Sequence, residues 1–129
     1  MMPEDILNLA RRLLEDVSLE DMPMLNAAIG RAYYSCFHKL KEVAQNTHNW
    51  NEGDKIRGGV HEKMISRIDN HNLSDAEKIK ILFSIKKDII TLKKKRVNAD
   101  YYLDADVNKL GAEYCVATAE KIIKRLDSI

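Results

Sequence analysis

An all-α bundle is the fold this sequence predicts, and three observations point to it. Apolar residues recur at spacings of three and four over long stretches, the period of a helix face rather than of a strand. Two prolines and five glycines in 129 residues leave few helix breakers in a chain rich in Leu, Ile, Lys, Glu and Ala. Turn-forming residues gather mainly in one stretch, residues 46–59, while Ser74-Asp-Ala-Glu77 reads as a capping box opening a long helix.

Five helices are expected in order. The first runs from about Pro3 to Asp16: Pro3 suits a first turn, and Glu4 and Asp5 suit the positive end of the helix dipole. Its inward stripe is Ile6, Leu9, Ala10, Leu13 and Val17. The second runs from about Pro23 to Gln45, with Leu25, Ile29, Ala32, Cys36, Leu40 and Val43 on one face. Its opposite face carries Ala27, Arg31, Tyr34 and His38, a mixed surface suited to packing on both sides or to lining a groove. The 46–59 stretch is the one long loop, pinned by Trp50 and ended by Gly58-Gly59. A short third helix spans about Val60 to Asp69, and the fourth runs from the capping box to about Leu103. The fifth is expected from about Asp106 to Leu126, with Val107, Gly111, Cys115, Thr118, Ala119, Ile122 and Leu126 inward. The architecture is an up-and-down bundle of four main helices plus one short one, a single domain over residues 1–129.

Composition bounds the function. With 21 basic and 20 acidic residues the net charge is +1, so charge balance alone indicates no polyanion partner. Cys36 and Cys115 fall within helical patterns and fit reduced core residues better than a disulfide. The start, Met-Met-Pro-Glu-Asp, has no apolar signal region, and no run approaches the roughly 18 apolar residues of a membrane span. A cytoplasmic protein is expected. The four histidines and the acids show no metal-ligand spacing, and neither metal nor cofactor is expected.

One residue departs from the helical pattern. Arg96 continues the stripe Leu82, Ile85, Ile89, Leu92, which then runs on through Ala99 and Leu103. An arginine on a packing face must find a partner, because an unpaired buried guanidinium is expensive. Asp100 stands one turn on, at i+4. The pair is either a structural lock or part of a site.

The string Ala28-Ile-Gly-Arg31-Ala-Tyr-Tyr34-Ser-Cys-Phe37-His38, the later Val60-His-Glu-Lys-Met-Ile65, and Arg96-Val-Asn-Ala-Asp-Tyr101 before an alanine-rich last helix together resemble HEPN-domain proteins. The order of the three covers nearly the whole chain and is most similar to the small single-domain bacterial and archaeal branch. The resemblance implies a helical bundle forming a symmetric homodimer, with a nucleic-acid or nucleotide connection. Many relatives are metal-independent endoribonucleases of toxin–antitoxin and anti-phage systems, and others pair with a small nucleotidyltransferase. Their motif is Arg, four to six residues, then His, late in the bundle. Here Arg96 stands at the arginine position, but Tyr101, Tyr102 and Leu103 come where the histidine belongs. Arg57–His61 and Arg67–His71 leave three residues between, and Arg31–His38 has six but lies in the early helix.

Cleaving RNA without a metal requires a base for the 2′-hydroxyl and a cation for the phosphate. His38 or His61 are the candidate bases, and Arg96 or Arg31 the candidate cations. Arg31 and Tyr34 also fit a plain helix–helix contact, and His48 and His71 read as loop residues. Arg31, Tyr34, Lys93, Lys94 and Lys95, with Asp100 and Tyr101, are candidates for binding RNA or a nucleotide, though scattered lysines are commonly a solvated face. Two classes stand: an RNA-directed HEPN protein, and a non-catalytic dimeric module that binds a nucleotide or a partner nucleotidyltransferase.

Overall fold

The structure, a computed structural model, describes residues 2–15, 22–53, 58–101 and 107–129, with Tyr101 described in its backbone alone. Five helices pack as an all-α bundle: α1 (Pro3–Glu15), α2 (Met22–Leu40), α3 (Val60–Ser66), α4 (Ala76–Tyr101) and α5 (Lys109–Asp127). α2 runs on into a π-helical segment, Lys41–Thr47, and α3 into a 3-10 turn, Arg67–Asn70. Four helices are long, and α3 with its extension is the short fifth. No described helix is long and apolar enough to cross a membrane.

The central element is α2, which packs against α1, α4 and α5. Its stripe of Leu25, Ile29, Ala32, Cys36 and Leu40 is buried, and Val43 extends it into the π-helical segment. Ala28, Tyr33 and Phe37 are buried too, so the inward face is wider than one stripe because three helices press on it. In α4, Leu82, Ile85, Ile89 and Leu92 are at most 1% exposed and Ala99 is buried. On α1 the most buried residues are Leu7 and Ala10, with Ile6 and Leu14, while the expected Leu9 and Leu13 are half-buried. The face is rotated by part of a turn because α1 leans on α5 as well as α2. Val17 lies outside the described residues.

Three boundaries move. At the start of α4 the cap is Asp75, not Ser74: its Oδ1 accepts from the Glu77 and Lys78 amides at 2.9 and 3.4 Å. α5 starts at Lys109, capped by Asn108, whose Oδ1 accepts from Gly111 N at 2.7 Å. Val107 and Asn108 therefore precede the helix. Part of the expected loop is helical, since π-type turns carry α2 to Thr47 and His48 N closes on Val43 O at 3.0 Å. Trp50 pins the chain just beyond this point, in agreement with its expected role. It is buried, stacks on His48 at 4.9 Å, and donates from Nε1 to Asn72 Oδ1 at 3.0 Å. His71 meets Trp50 and Phe83 edge-on, so both loop histidines pack as anchors. Cys36 and Cys115 are free and buried. Burial pushes the Cys36 thiol up to about 12, well outside the range of a reactive thiolate.

Ion pairs join the helices at their rims: Arg11–Glu120 ties α1 to α5, and Arg125–Asp88 ties α5 to α4. The most enclosed is Lys39 on α2, with its side chain 6% exposed. Its Nζ reaches Glu4 of α1 at 3.7 Å, Glu42 at 3.4 Å and Asp127 of α5. Burial alone would lower its pKa, but hydrogen bonding and charge from Asp127, with Glu42 and Glu4, raise it overall. A pKa raised on folding stabilises fully below the lysine's ordinary 10.5, and that contribution fades as pH climbs through the folded value. Lys39→Ala should cost about 2 kcal/mol, because buried stem and charge are both lost while the half-exposed carboxylates rehydrate. Lys39→Met keeps the stem and should recover only part of that at pH 7, the remainder being the contribution of the charge. Denaturant midpoints at pH 7 and pH 11 check this: a wild-type advantage over Lys39→Met that persists unchanged at pH 11 would exclude a charge-based clamp.

Candidate functional site

The site is built where α4, α2 and α3 meet. Arg96 lies in the buried stripe of α4 with its side chain 14% exposed. Its Nη2 donates to the Tyr34 hydroxyl at 2.9 Å, bridging 62 residues of sequence. The guanidinium carbon lies 5.1 Å from the Tyr34 ring centre and 5.8 Å from that of Tyr33. Asp100 Oδ2 is 3.1 Å from the buried Nε, but off the hydrogen-bond axis, so the pair attracts by proximity without an aligned bond. Asp100 itself is 36% exposed. Arg96 is thus a seam residue with three partners, and its most direct hydrogen bond is to a tyrosine on another helix.

His61 enters from the first turn of α3. Its ring sits 4.5 Å from Phe37, 5.4 Å from Tyr33 and 6.0 Å from Tyr34, centre to centre. Its Nδ1 is 2.8 Å from the Tyr33 hydroxyl. Burial, with Arg96 and Lys93 nearby, lowers the His61 pKa and keeps the ring neutral at pH 7. Burial pushes Tyr33 up, so the phenol keeps its proton. Among the described residues that proton has no other acceptor, so the phenol donates to Nδ1. The remaining ring proton then sits on Nε2, and His61 donates outward rather than accepting.

His38 is exposed, one turn beyond Tyr34, with ring centres 6.5 Å apart. Together Arg31, Tyr34 and His38 border a cleft of about 510 Å³, whose far bank is Ile6 and Leu9 of α1. The second face of α2 therefore lines a groove. Arg31 is exposed there, without an ion pair among the described residues, while Tyr34 makes the helix–helix bond. The cleft joins a cation, an aromatic face and an exposed imidazole. Among the described residues no three His, Cys, Asp or Glu side chains gather as metal ligands.

Of the three lysines before Arg96, two border one cleft and the third turns away. Lys93 pairs with Glu62 of α3 and holds that carboxyl below its usual range. Lys94 borders, together with Lys93 and Lys86, a cleft floored by Ile65 and Ile90. Lys95 turns to the opposite side, 5.5 Å from the Tyr114 ring centre. The side chain of Tyr101 lies outside the described residues, as do Arg57, Tyr102 and Leu103. Sequence reasoning missed Tyr33, Phe37 and Glu62. The spacing of Tyr33 and Phe37, four apart beside Tyr34, was the available signal for an aromatic seat under a cation.

No family model, no curated protein and no solved structure matches this chain.

Because Asp100 is half-exposed and its bond to Arg96 poorly aligned, Asp100→Ala should cost about 1 kcal/mol or less. Arg96→Ala removes a guanidinium packed on two rings and should cost about 2–3 kcal/mol, with Tyr34→Phe near 1 kcal/mol. Chemical denaturation of the three variants checks the order; an Asp100→Ala loss equal to that of Arg96→Ala would mean that Asp100, not the tyrosine pair, holds the arginine.

Proposed function

We propose that this chain is a HEPN-like protein directed at RNA, acting through the Arg31–Tyr34–His38 cleft in a toxin–antitoxin or defence setting. One observation carries the reading. Arg96 and His61, from the two later motif strings, converge on the tyrosines of the first string, beside a cleft bearing Arg31 and His38. That assembly offers what metal-independent cleavage at the 2′-hydroxyl requires. Arg31 holds the phosphate, and the Tyr34 ring packs against ribose or base. His38 takes the 2′-hydroxyl proton as that oxygen bonds to the adjacent phosphorus. The 5′-oxygen leaves and takes a proton from water, giving a 2′,3′-cyclic phosphate and a 5′-hydroxyl. Arg96 acts here as a positioning residue, fixing Tyr34, and His61 as an outward hydrogen-bond donor.

Cleavage of single-stranded RNA by the purified protein is expected to persist in EDTA and to leave a cyclic phosphate. His38→Ala should abolish it, at a loss of about 10²-fold or more. Arg96→Ala should lower it while the protein remains folded. Activity that depends on added metal, or that survives His38→Ala, would overturn this route.

A second reading is supported by the engagement of Arg96 with Tyr34 and Asp100, which leaves little of its charge for a substrate. In it the chain is a non-catalytic dimeric module for a nucleotide or a nucleotidyltransferase partner. RNA binding without cleavage would favour it. Both readings include a two-fold homodimer. The α4 stripe itself is used up inside the chain, so apolar surplus must lie elsewhere. Leu110 and Tyr114 on α5 are 77% and 51% exposed, beside Lys95 and near the Arg96 end of α4. A dimer through that face buries them. Light scattering at micromolar concentration should give twice the chain mass, and Leu110→Glu with Tyr114→Glu should halve it. A monomeric wild type would remove the dimer.

A further inference from the structure

Arg31, Tyr34, His38, Lys41 and Gln45 succeed one another at spacings of three, four, three and four. At 3.6 residues per turn they fall within an arc of about 80° on α2 and its π-helical extension. The first three border the cleft against α1. Lys41 and Gln45 border a second cleft, of about 410 Å³, whose other bank includes Lys63 of α3. Lys41 and Lys63 are exposed, and neither makes an ion pair among the described residues. The acid in that second cleft, Glu52, is already taken by Arg67 at 3.4 Å. Net charge is close to zero over the whole chain, yet along this stripe Arg31 and Lys41 are unpaired among the described residues, with Lys63 on the opposite bank of the second cleft.

We infer that the stripe is a continuous track for single-stranded RNA, entering at Arg31 and leaving between Lys41 and Lys63. This rests on the RNA reading above and extends it: the cleft at His38 becomes the middle of a track rather than an isolated pocket. From residue 31 to residue 45 is about 20 Å of helix. At about 3.4 Å per stacked nucleotide that length holds roughly six. Phosphates fit the spaced cations, and Tyr34 offers the single ring face on which a base stacks. A duplex is too wide to lay its bases against Tyr34, so the surface selects single strands.

Fluorescence anisotropy with labelled RNA single strands of 3, 6 and 12 nucleotides, the matching DNA strand and an RNA duplex tests this at several salt concentrations. Affinity should rise to about six nucleotides and then level, with the single strand bound at least tenfold more tightly than the duplex. Lys41→Gln with Lys63→Gln should weaken binding on the order of tenfold and flatten the salt slope by about 1.4, two phosphates at ~0.7 each. Both sites are exposed, and circular dichroism confirms that the variant folds. RNA bound by wild type but unaffected by this double change overturns the track and leaves the RNA reading standing. Equal affinity for duplex, or no dependence on length, also overturns it, in favour of a general polyanion surface. The DNA strand reports whether the 2′-hydroxyl is read. If wild type binds no RNA of any length, both the track and the RNA reading fall.

Discussion

A guanidinium inside a packed seam is the constraint around which this molecule is arranged. Arg96 cannot be left bare among Leu92, Ala99 and the rings of α2, because an unpartnered charge there costs several kcal/mol. The fold answers with Tyr34 and the Tyr33 ring, and with Asp100 from its own helix. Those partners have further obligations. Tyr33 is fully buried and its hydroxyl must reach His61, which places the first turn of α3 against α2. One part-buried cation thereby sets the relation of three helices.

The same arrangement sorts the candidate chemical groups by what they are free to do. Arg96 and His61 are held by neighbours, so their contribution is to orient. Arg31 and His38 stand in the open cleft with little to hold them. Of the motif residues, Arg96 and His61 are thus the more structural, while Arg31 and His38 border open space.

The rim ion pairs have a different role. Arg11–Glu120, Arg125–Asp88 and Lys86–Asp69 are largely solvated and contribute modestly each. Lys39 is the exception, since its ammonium is enclosed by carboxylates from α1, α5 and its own helix. It closes one end of the bundle by charge, while Trp50 fastens the loop after α2 by ring stacking and a side-chain hydrogen bond.

Sequence by itself determined what depends on neighbours three and four residues apart. The helix periods, the α4 stripe, the α2 stripe and the nearness of Arg96 to Asp100 are of this kind, because helix geometry fixes them locally. Helix ends were legible less well: Ser74 and Asp75 are both good caps, and in the folded chain it is the aspartate whose carboxylate accepts from the Glu77 and Lys78 amides. Tertiary structure alone decided that Arg96 would meet Tyr34 across 62 residues, that Tyr33 would meet His61 across 28, and that Lys39 would gather three carboxylates. It also turned Lys95 toward Tyr114 while Lys93 and Lys94 stayed on one cleft with Lys86, where a linear reading sees one basic run. The physical reason is that a helix specifies which face a side chain occupies, whereas the crossing of helices, set by the packing of whole faces, specifies what that face meets.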